Sequence, residues 1–231
     1  MANGKTTRRD AIAYSLAKGT VITGITGALA KGVWYYVLTR DASSLIPTGP
    51  SIGRAFLCSK AVSALAAGDS VVPLTTSKLG FVRDKTLDAT KTSVDATTDI
   101  DDESDFLSDG LVGKTGTLNG MDTNDSPTVA LKAQFYHTIK ATAGGEGEAD
   151  ALVETEISTP KQLIMIDWSG REPVEGEPLD VDIMPVLFTS ASQGASYGAV
   201  KSLNFNFQVV SDDGAGCKPT HYNGLFRDVA A

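Results

Sequence analysis

The most regular pattern of apolar and polar positions lies at residues 201–210, KSLNFNFQVV. Leu203, Phe205, Phe207 and Val209 alternate with Ser202, Asn204, Asn206 and Gln208. A period of two puts these sets on opposite faces of a strand. One face packs on a core; the other is polar but uncharged, suited to water, a lumen or a neighbour. Residues 32–40, GVWYYVLTR, are the strongest strand signal of the N-terminal half. Consecutive aromatic and β-branched residues favour a pleated surface that is at least half buried. No basic residue interleaves with Trp34, Tyr35 and Tyr36, which favours core packing over base stacking. Residues 162–168, QLIMIDW, read as a buried strand, and 54–59 and 71–76 as short ones. Residues 179–189 read as a strand that Pro185 assigns to an edge or a bulge.

The chain is organised around residues 85–120. Thr, Val and Asp dominate 85–98, which predicts strand. An acidic loop follows at 99–109, with Asp99, Asp101, Asp102, Glu103, Asp105, Phe106 and Asp109. Gly110 then breaks the chain, and 113–120 reads as a second strand closed by Asn119-Gly120. Ser126 as N-cap and Pro127 at the first helical position predict a helix over 126–139. Leu131, Phe135 and Ile139 would share its face, although the segment also alternates through Val129, Leu131, Ala133 and Phe135. The Ala-rich stretch 61–67 suggests a helical turn. Residues 142–150, TAGGEGEAD, read as an exposed loop.

The two ends differ from the middle. In residues 1–30 a short helix is suggested near Thr7–Asp10, with Ile12, Ala13 and Leu16 on one side, before Gly19, Gly24 and Gly27. The segment reads either as an arm ordered against a neighbour or as a frayed terminus plus an edge strand. In residues 212–231, Gly214, Gly216 and Pro219 argue against a regular element. Tyr222, Leu225 and Phe226 are apolar anchors there, suited to docking on another surface such as the next subunit.

Composition narrows the class. The chain has 231 residues, 42% hydrophobic with 23 glycines, enough for a real core and many turns. This predicts a mainly β fold. A net charge of −8 argues against a protein that grips nucleic acid, which needs a basic stripe. It is compatible with an acidic wall past which DNA slides. Two cysteines, Cys58 and Cys217, make no disulfide framework and read as free structural thiols. No convincing signal peptide precedes the chain's first strand, and no apolar run of membrane-spanning length occurs.

Candidate chemistry is sparse. Gly-x-Ser-x-Gly occurs around Ser51 and Ser196, but neither has the strand-then-helix context of a nucleophile elbow. Gly113-Lys114-Thr115 is like the end of a phosphate loop, yet Ser108 stands where its first glycine is required. Asp99, Asp101, Glu103 and Asp105 alternate, but Ser104 and Gly110 occupy the Gly and Glu positions of a calcium loop. His137 and His221 lack companions at zinc-ligand spacing. No catalytic, cofactor or metal constellation is expected.

The centre of the chain resembles the major tail tube proteins of tailed bacteriophages. The residues that carry this are Asp95, Thr97, Thr98 and Asp99, then Gly110, then Thr115, Gly116, Thr117, Asn119 and Gly120. The likeness covers roughly 77–210. It implies two packed antiparallel sheets, a β-sandwich or barrel, with one flanking α-helix. It implies a structural virion protein whose hexameric rings stack into a tail tube, the conduit for genome delivery. On this chain, 1–30 would be an N-terminal arm, 31–211 the tail-tube domain, and 212–231 a C-terminal arm. The loop 99–109 would join successive rings, and 114–119 and 201–210 would be inner-barrel strands. Implied partners are further copies of the chain, a tape-measure protein and tail-tip or terminator proteins, with DNA passing through unbound and no membrane. Assembly would take place in the bacterial cytoplasm and the product would be the virion tail. Alternatives are another ring-forming tail component, such as a terminator or contractile injection tube, and a surface binding or adhesion β-sandwich.

Overall fold

The computed structural model describes residues 12–44, 46, 50–95, 106–123, 125–136, 138–142, 151–155, 160–168, 178–195 and 200–225. The strands are β1 (Ile12–Lys18), β2 (Ile22–Thr23), β3 (Trp34–Thr39), β4 (Ala55–Leu57), β5 (Ser70–Lys78), β6 (Val82–Asp95) and β7 (Phe106–Met121). After the helix α1 (Ser126–Lys132) come β8 (Thr138–Thr142), β9 (Ala151–Thr155), β10 (Gln162–Asp167), β11 (Pro178–Gly194), β12 (Ser202–Val209) and β13 (Thr220–Leu225). The fold is mainly β with one flanking helix among the described residues. All but β8 and β9 join one antiparallel sheet, ordered β4-β3-β5-β1-β10-β11-β12-β7-β6, with β13 added to β11 and β2 to β5. The two layers expected from the sequence are therefore one curled sheet packed on itself.

The curl follows from which side chains alternate inward. Ile12, Tyr14 and Leu16 of β1 meet Trp34 and Tyr36 of β3, Leu163 and Met165 of β10, and Val181 and Ile183 of β11 in one core. These strands wrap until β13 reaches the edge of β4. The Ala55 N–H donates to Thr220 Oγ1 at 3.0 Å, and the Lys218 N–H to the Gly53 carbonyl at 2.7 Å. The Arg54 guanidinium donates to the Pro219 carbonyl. The result is a barrel-like unit whose last seam is made by loop and side-chain bonds.

The opposite faces of β1 and β10 present Ala13, Ile164 and Ile166 to a second core. Onto them folds the layer made by the C-terminal half of β11 with β12, β7 and β6, bringing Phe188, Leu203, Phe205, Phe207 and Leu118. A third cluster, with Tyr35, Val37, Phe56 and Val71, covers the outer side of β3, β4 and β5.

Pro185 sits where this path forks. β13 pairs with β11 through Ile183 and β12 pairs from Val186 onward. The Pro185 carbonyl accepts from the Val210 N–H at 2.9 Å. A residue's carbonyl and nitrogen leave a strand on the same side, so the missing N–H falls beyond the last β11–β12 pair, Val186–Val209, and leaves the ladder to β10 on the other side untouched.

Several expectations are corrected. Ile12–Lys18, placed in the N-terminal arm and near a short helix, is an interior strand paired on both sides, with β5 and β10. Its Ile, Tyr and Leu bury on one face with period two, which outweighs the helical spacing. Thr220–Leu225, placed in the C-terminal arm, pairs with β11 of the same chain. The helix ends at Lys132, not 139, and its N-cap is Asp125, whose carboxylate accepts from the Thr128 N–H. Ile139 belongs instead to β8, paired with Glu154 of β9. Residues 61–67 form no helical turn; Val62 bridges Leu29. Gly110 does not break the chain but lies within β7.

Candidate functional site

The feature that sets this fold apart is the pair β6 and β7. Their ladder runs from the Val82–Gly120 pair to the Asp95–Phe106 pair, with register shifts at 82/84 and 91/93. The expected acidic loop is thereby shortened. Phe106 and Asp109 lie in β7, while Asp99, Asp101, Asp102, Glu103 and Asp105 fall outside the described residues. β12 accompanies β7 only as far as the Thr115–Gln208 row. Beyond that row β6 and β7 pair only with each other among the described residues. Nine residue steps at roughly 3.3 Å each make this a two-stranded ribbon about 30 Å long.

Two glycines let the layer pack at the base of the ribbon. A Cβ at Gly116 would stand 2.4 Å from the Phe207 ring and from the Thr86 carbonyl. At Gly120 it would stand 1.7 Å from the Phe81 carbonyl. Gly116, Leu118 and Gly120 share the inward face, so small residues four apart admit a phenylalanine ring and a crossing backbone.

The outward face of the same layer is a grid of short polar side chains. Thr86, Thr117, Asn206 and Ser190 form one cross-strand row over β6, β7, β12 and β11. Asp84, Asn119, Asn204 and Ser192 form the next. Thr86 and Thr117 hydroxyls lie 3.0 Å apart, and Asn206 Nδ2 donates to Ser190 Oγ at 2.7 Å. The charges in the rows, Asp84 and the adjacent Asp88, are carboxylates on β6; none of the row residues is a lysine or arginine. A shallow open depression of about 310 Å³ on this face is lined by Asp88, Thr115, Thr117, Thr189, Asn206 and Gln208. The strands 114–119 and 201–210, both expected in an inner barrel, are adjacent antiparallel strands here.

On the inward side, Lys85 fastens the ribbon's base to the barrel. Its ammonium donates to the carbonyls of Asp167 and Ile12 and lies 4.9 Å from the centre of the Trp168 ring. Burial pulls its pKa down to about 8, against the opposing pull of Asp167 and Asp180. Trp168 Nε1 donates to Asp182 Oδ2 at 2.6 Å, and His221 Nδ1 lies 3.2 Å from Asp182 Oδ1. Nothing in the local sequence around Lys85, Trp168, Asp182 or His221 signals this cluster. Its members come from β6, the end of β10, β11 and β13.

The expected anchors separate. Tyr222 packs edge-on against Trp34 at 5.4 Å, so it holds β13 to its own barrel. Leu225 pairs in register with Pro178, and Phe226 falls outside the described residues. Cys58 and Cys217 are both buried and free. Burial, with Asp213 nearby, pushes the Cys217 thiol up to about 12, where it is inert as a nucleophile at neutral pH. Burial alone would raise Asp213, but Lys18 and the N–H groups of Ala215 and Cys217 outweigh it and hold the carboxyl below its usual range. Of the Gly-x-Ser-x-Gly segments, Ser51 lies in an exposed turn and Ser196 outside the described residues. Among the described residues no group of three His, Cys, Asp or Glu side chains is placed to hold a metal ion. No helix among them is long and apolar enough to cross a membrane. The chain matches no protein-family model and no curated protein.

Proposed function

We propose that this chain is a structural subunit that assembles into stacked rings forming a hollow tube of the phage tail type, through which DNA passes without specific binding. The observation that carries the reading is the β6–β7 ribbon together with the two polar rows at its base, whose residues include no lysine or arginine. Amide and hydroxyl groups with a few carboxylates offer a wetted wall that phosphate does not adhere to. β6 is also a long terminal strand of the sheet. Such an edge is an aggregation hazard in a monomer, and pairing it around a closed ring removes it. The work of such a subunit is assembly, and the reading needs no catalytic group. Its partners would be further copies of the chain and the tape-measure, tail-tip and terminator proteins of a virion tail assembled in the bacterial cytoplasm.

The depression beside Asp88 favours a second reading, a binding or adhesion module for a hydroxyl-rich ligand. Negative-stain electron microscopy with light scattering, over a range of protein concentrations, separates the two. Hollow rings or tubes with sixfold end views are expected. A defined dimer or trimer with nothing larger would refute the tube reading in favour of the binding module.

A further inference from the structure

One side chain on β13 faces two carboxylates at once. His221 stands opposite Asp182 in the β11–β13 ladder, and Asn223 stands opposite Asp180. Alternation puts His221, Asp180 and Asp182 on one face, away from Val181 and Tyr222. His221 Nδ1 lies 3.2 Å from Asp182 Oδ1, and its Nε2 lies 3.8 Å from Asp180 Oδ1. A neutral imidazole donates from one nitrogen and carries a lone pair on the other; only the imidazolium donates from both. A neutral His221 therefore turns a lone pair towards one of these carboxylates. Asp180 Oδ1 is buried and has no hydrogen-bond partner among the described residues, so the oxygen nearest Nε2 is the one that lacks a donor. Asp182 is buried as well, and its other oxygen accepts from Trp168 Nε1 at 2.6 Å. The surrounding charge also favours a cation. Asp180 and Asp182 face the ring from β11, and Lys85 of β6, which interacts with Asp180 and with Asp167 of β10, sets one positive charge against those three carboxylates. The imidazole is 52% exposed, so a proton reaches it without opening the fold.

We propose that His221 is a proton-operated clasp: on protonation its imidazolium bridges Asp182 and Asp180 and fastens β13 to β11. The inference is independent of the tube reading, because every group in it belongs to one subunit. Histidine is the side chain whose charge changes between about pH 5 and 8. The folded chain, with two carboxylates at the ring, holds the proton more tightly than the unfolded chain. The clasp therefore adds stability in mild acid, and that contribution is lost as the pH rises towards 8. What it fastens is the last seam of the barrel. Beside His221, the Thr220 hydroxyl oxygen accepts from the Ala55 N–H and the Pro219 carbonyl accepts from Arg54, bonds that join β13 to β4 without a ladder. Asp182 carries the link onward to Trp168, and the Lys85 ammonium lies over the Trp168 ring. One proton thus acts on both the barrel seam and the foot of the ribbon.

The test is a proton NMR titration of the full-length chain, folded and in urea, at a concentration below assembly. The chain has two histidines, so the ring signals are few, and His221→Asn identifies the one that matters. Folded His221 is expected to bind its proton about fivefold or more tightly than the unfolded chain does. Asp180→Asn, which removes the charge facing Nε2 and keeps the shape, is expected to abolish most of that gain. Amide hydrogen exchange then reads the strand itself. At about pH 5.5 the β13 amides should exchange about fivefold more slowly in the wild type than in His221→Asn, and at about pH 8 the two should match. Equal proton affinity in the folded and unfolded chain, or an exchange ratio that is the same at both pH values, would overturn the clasp. Should His221→Asn fail to fold, the wild-type titration against Asp180→Asn decides by itself: a gain that Asp180→Asn leaves intact refutes the bridge.

Discussion

Phe205 is where the alternation of β12 can be tested most sharply. It is fully buried and touches three other rings, Phe81 at 5.4 Å, Phe188 at 5.6 Å and Phe135 at 5.9 Å between centroids. It thereby ties β12 to β11, to α1's C-terminal turn and to the turn before β6. Phe205→Ala withdraws about 150 Å² of apolar surface from the core, about 4 kcal/mol at 25 cal/mol per Å². That lies within the range of about 3–5 kcal/mol measured for such truncations, where the cavity left behind decides the final value. Asn206, the next residue, faces outward, and its side chain donates to Ser190 Oγ in the grid. Asn206→Ala should change stability by no more than about 0.5 kcal/mol. The assay is urea unfolding at a concentration below assembly, followed by tryptophan fluorescence. Trp34 reports on the barrel core, and Trp168 on the base of the ribbon. With a slope of about 3 kcal/mol per molar urea, Phe205→Ala should lower the midpoint by about 1.3 M. A loss under 1 kcal/mol for Phe205→Ala, or equal losses for the two variants, would refute the assignment of faces on this strand.

Lys85 makes an alkaline prediction. Its folded pKa of about 8 lies below the unfolded 10.5, so between these values the unfolded chain holds the proton more tightly and stability rises with pH. Tyr36 and Cys217, both raised to about 12, act in the opposite sense above pH 9. The difference between wild type and Lys85→Met therefore isolates the lysine, and it should shift in favour of the wild type from pH 7.5 to 10.5 in thermal melts. A pH-independent difference would contradict its burial. Gly120→Ala drives a methyl into the Phe81 carbonyl and should cost more than about 3 kcal/mol or abolish soluble expression, while a wild-type melting temperature would show that the crossing is looser. Tyr222→Ala removes the ring that seats β13 on Trp34 and should destabilise the isolated subunit by about 2 kcal/mol. Unchanged subunit stability with weakened assembly would return this tyrosine to an intersubunit role.

Much of the fold was legible because burial imposes a period. Leu203, Phe205 and Phe207 are buried as the alternation required, and the runs around Trp34 and Ile164 are strands packed in cores. The two strands that flank the acidic stretch at the centre were readable from their Thr- and Val-rich composition instead. Errors gathered where local chemistry has two solutions. Ile12, Ala13 and Leu16 fit a helical face, yet β5 and β10 offer hydrogen-bonding edges on both sides. Leu131, Phe135 and Ile139 extend a helical series, yet residues 138–142 find a strand partner.

By itself the sequence determined the β class, the inward and outward faces of the regular strands, and the concentration of acid in residues 95–109. Each depends on neighbours a few residues away, through alternation and composition. Only the tertiary structure decided that β13 closes the barrel of its own chain, that Lys85 meets Trp168 and the Asp167 carbonyl, and that Asp122 sits between Lys132 and Lys201. Those juxtapositions join segments far apart in the chain. They are set by how the whole sheet curls once its cores pack, and no local pattern of residues encodes that curl.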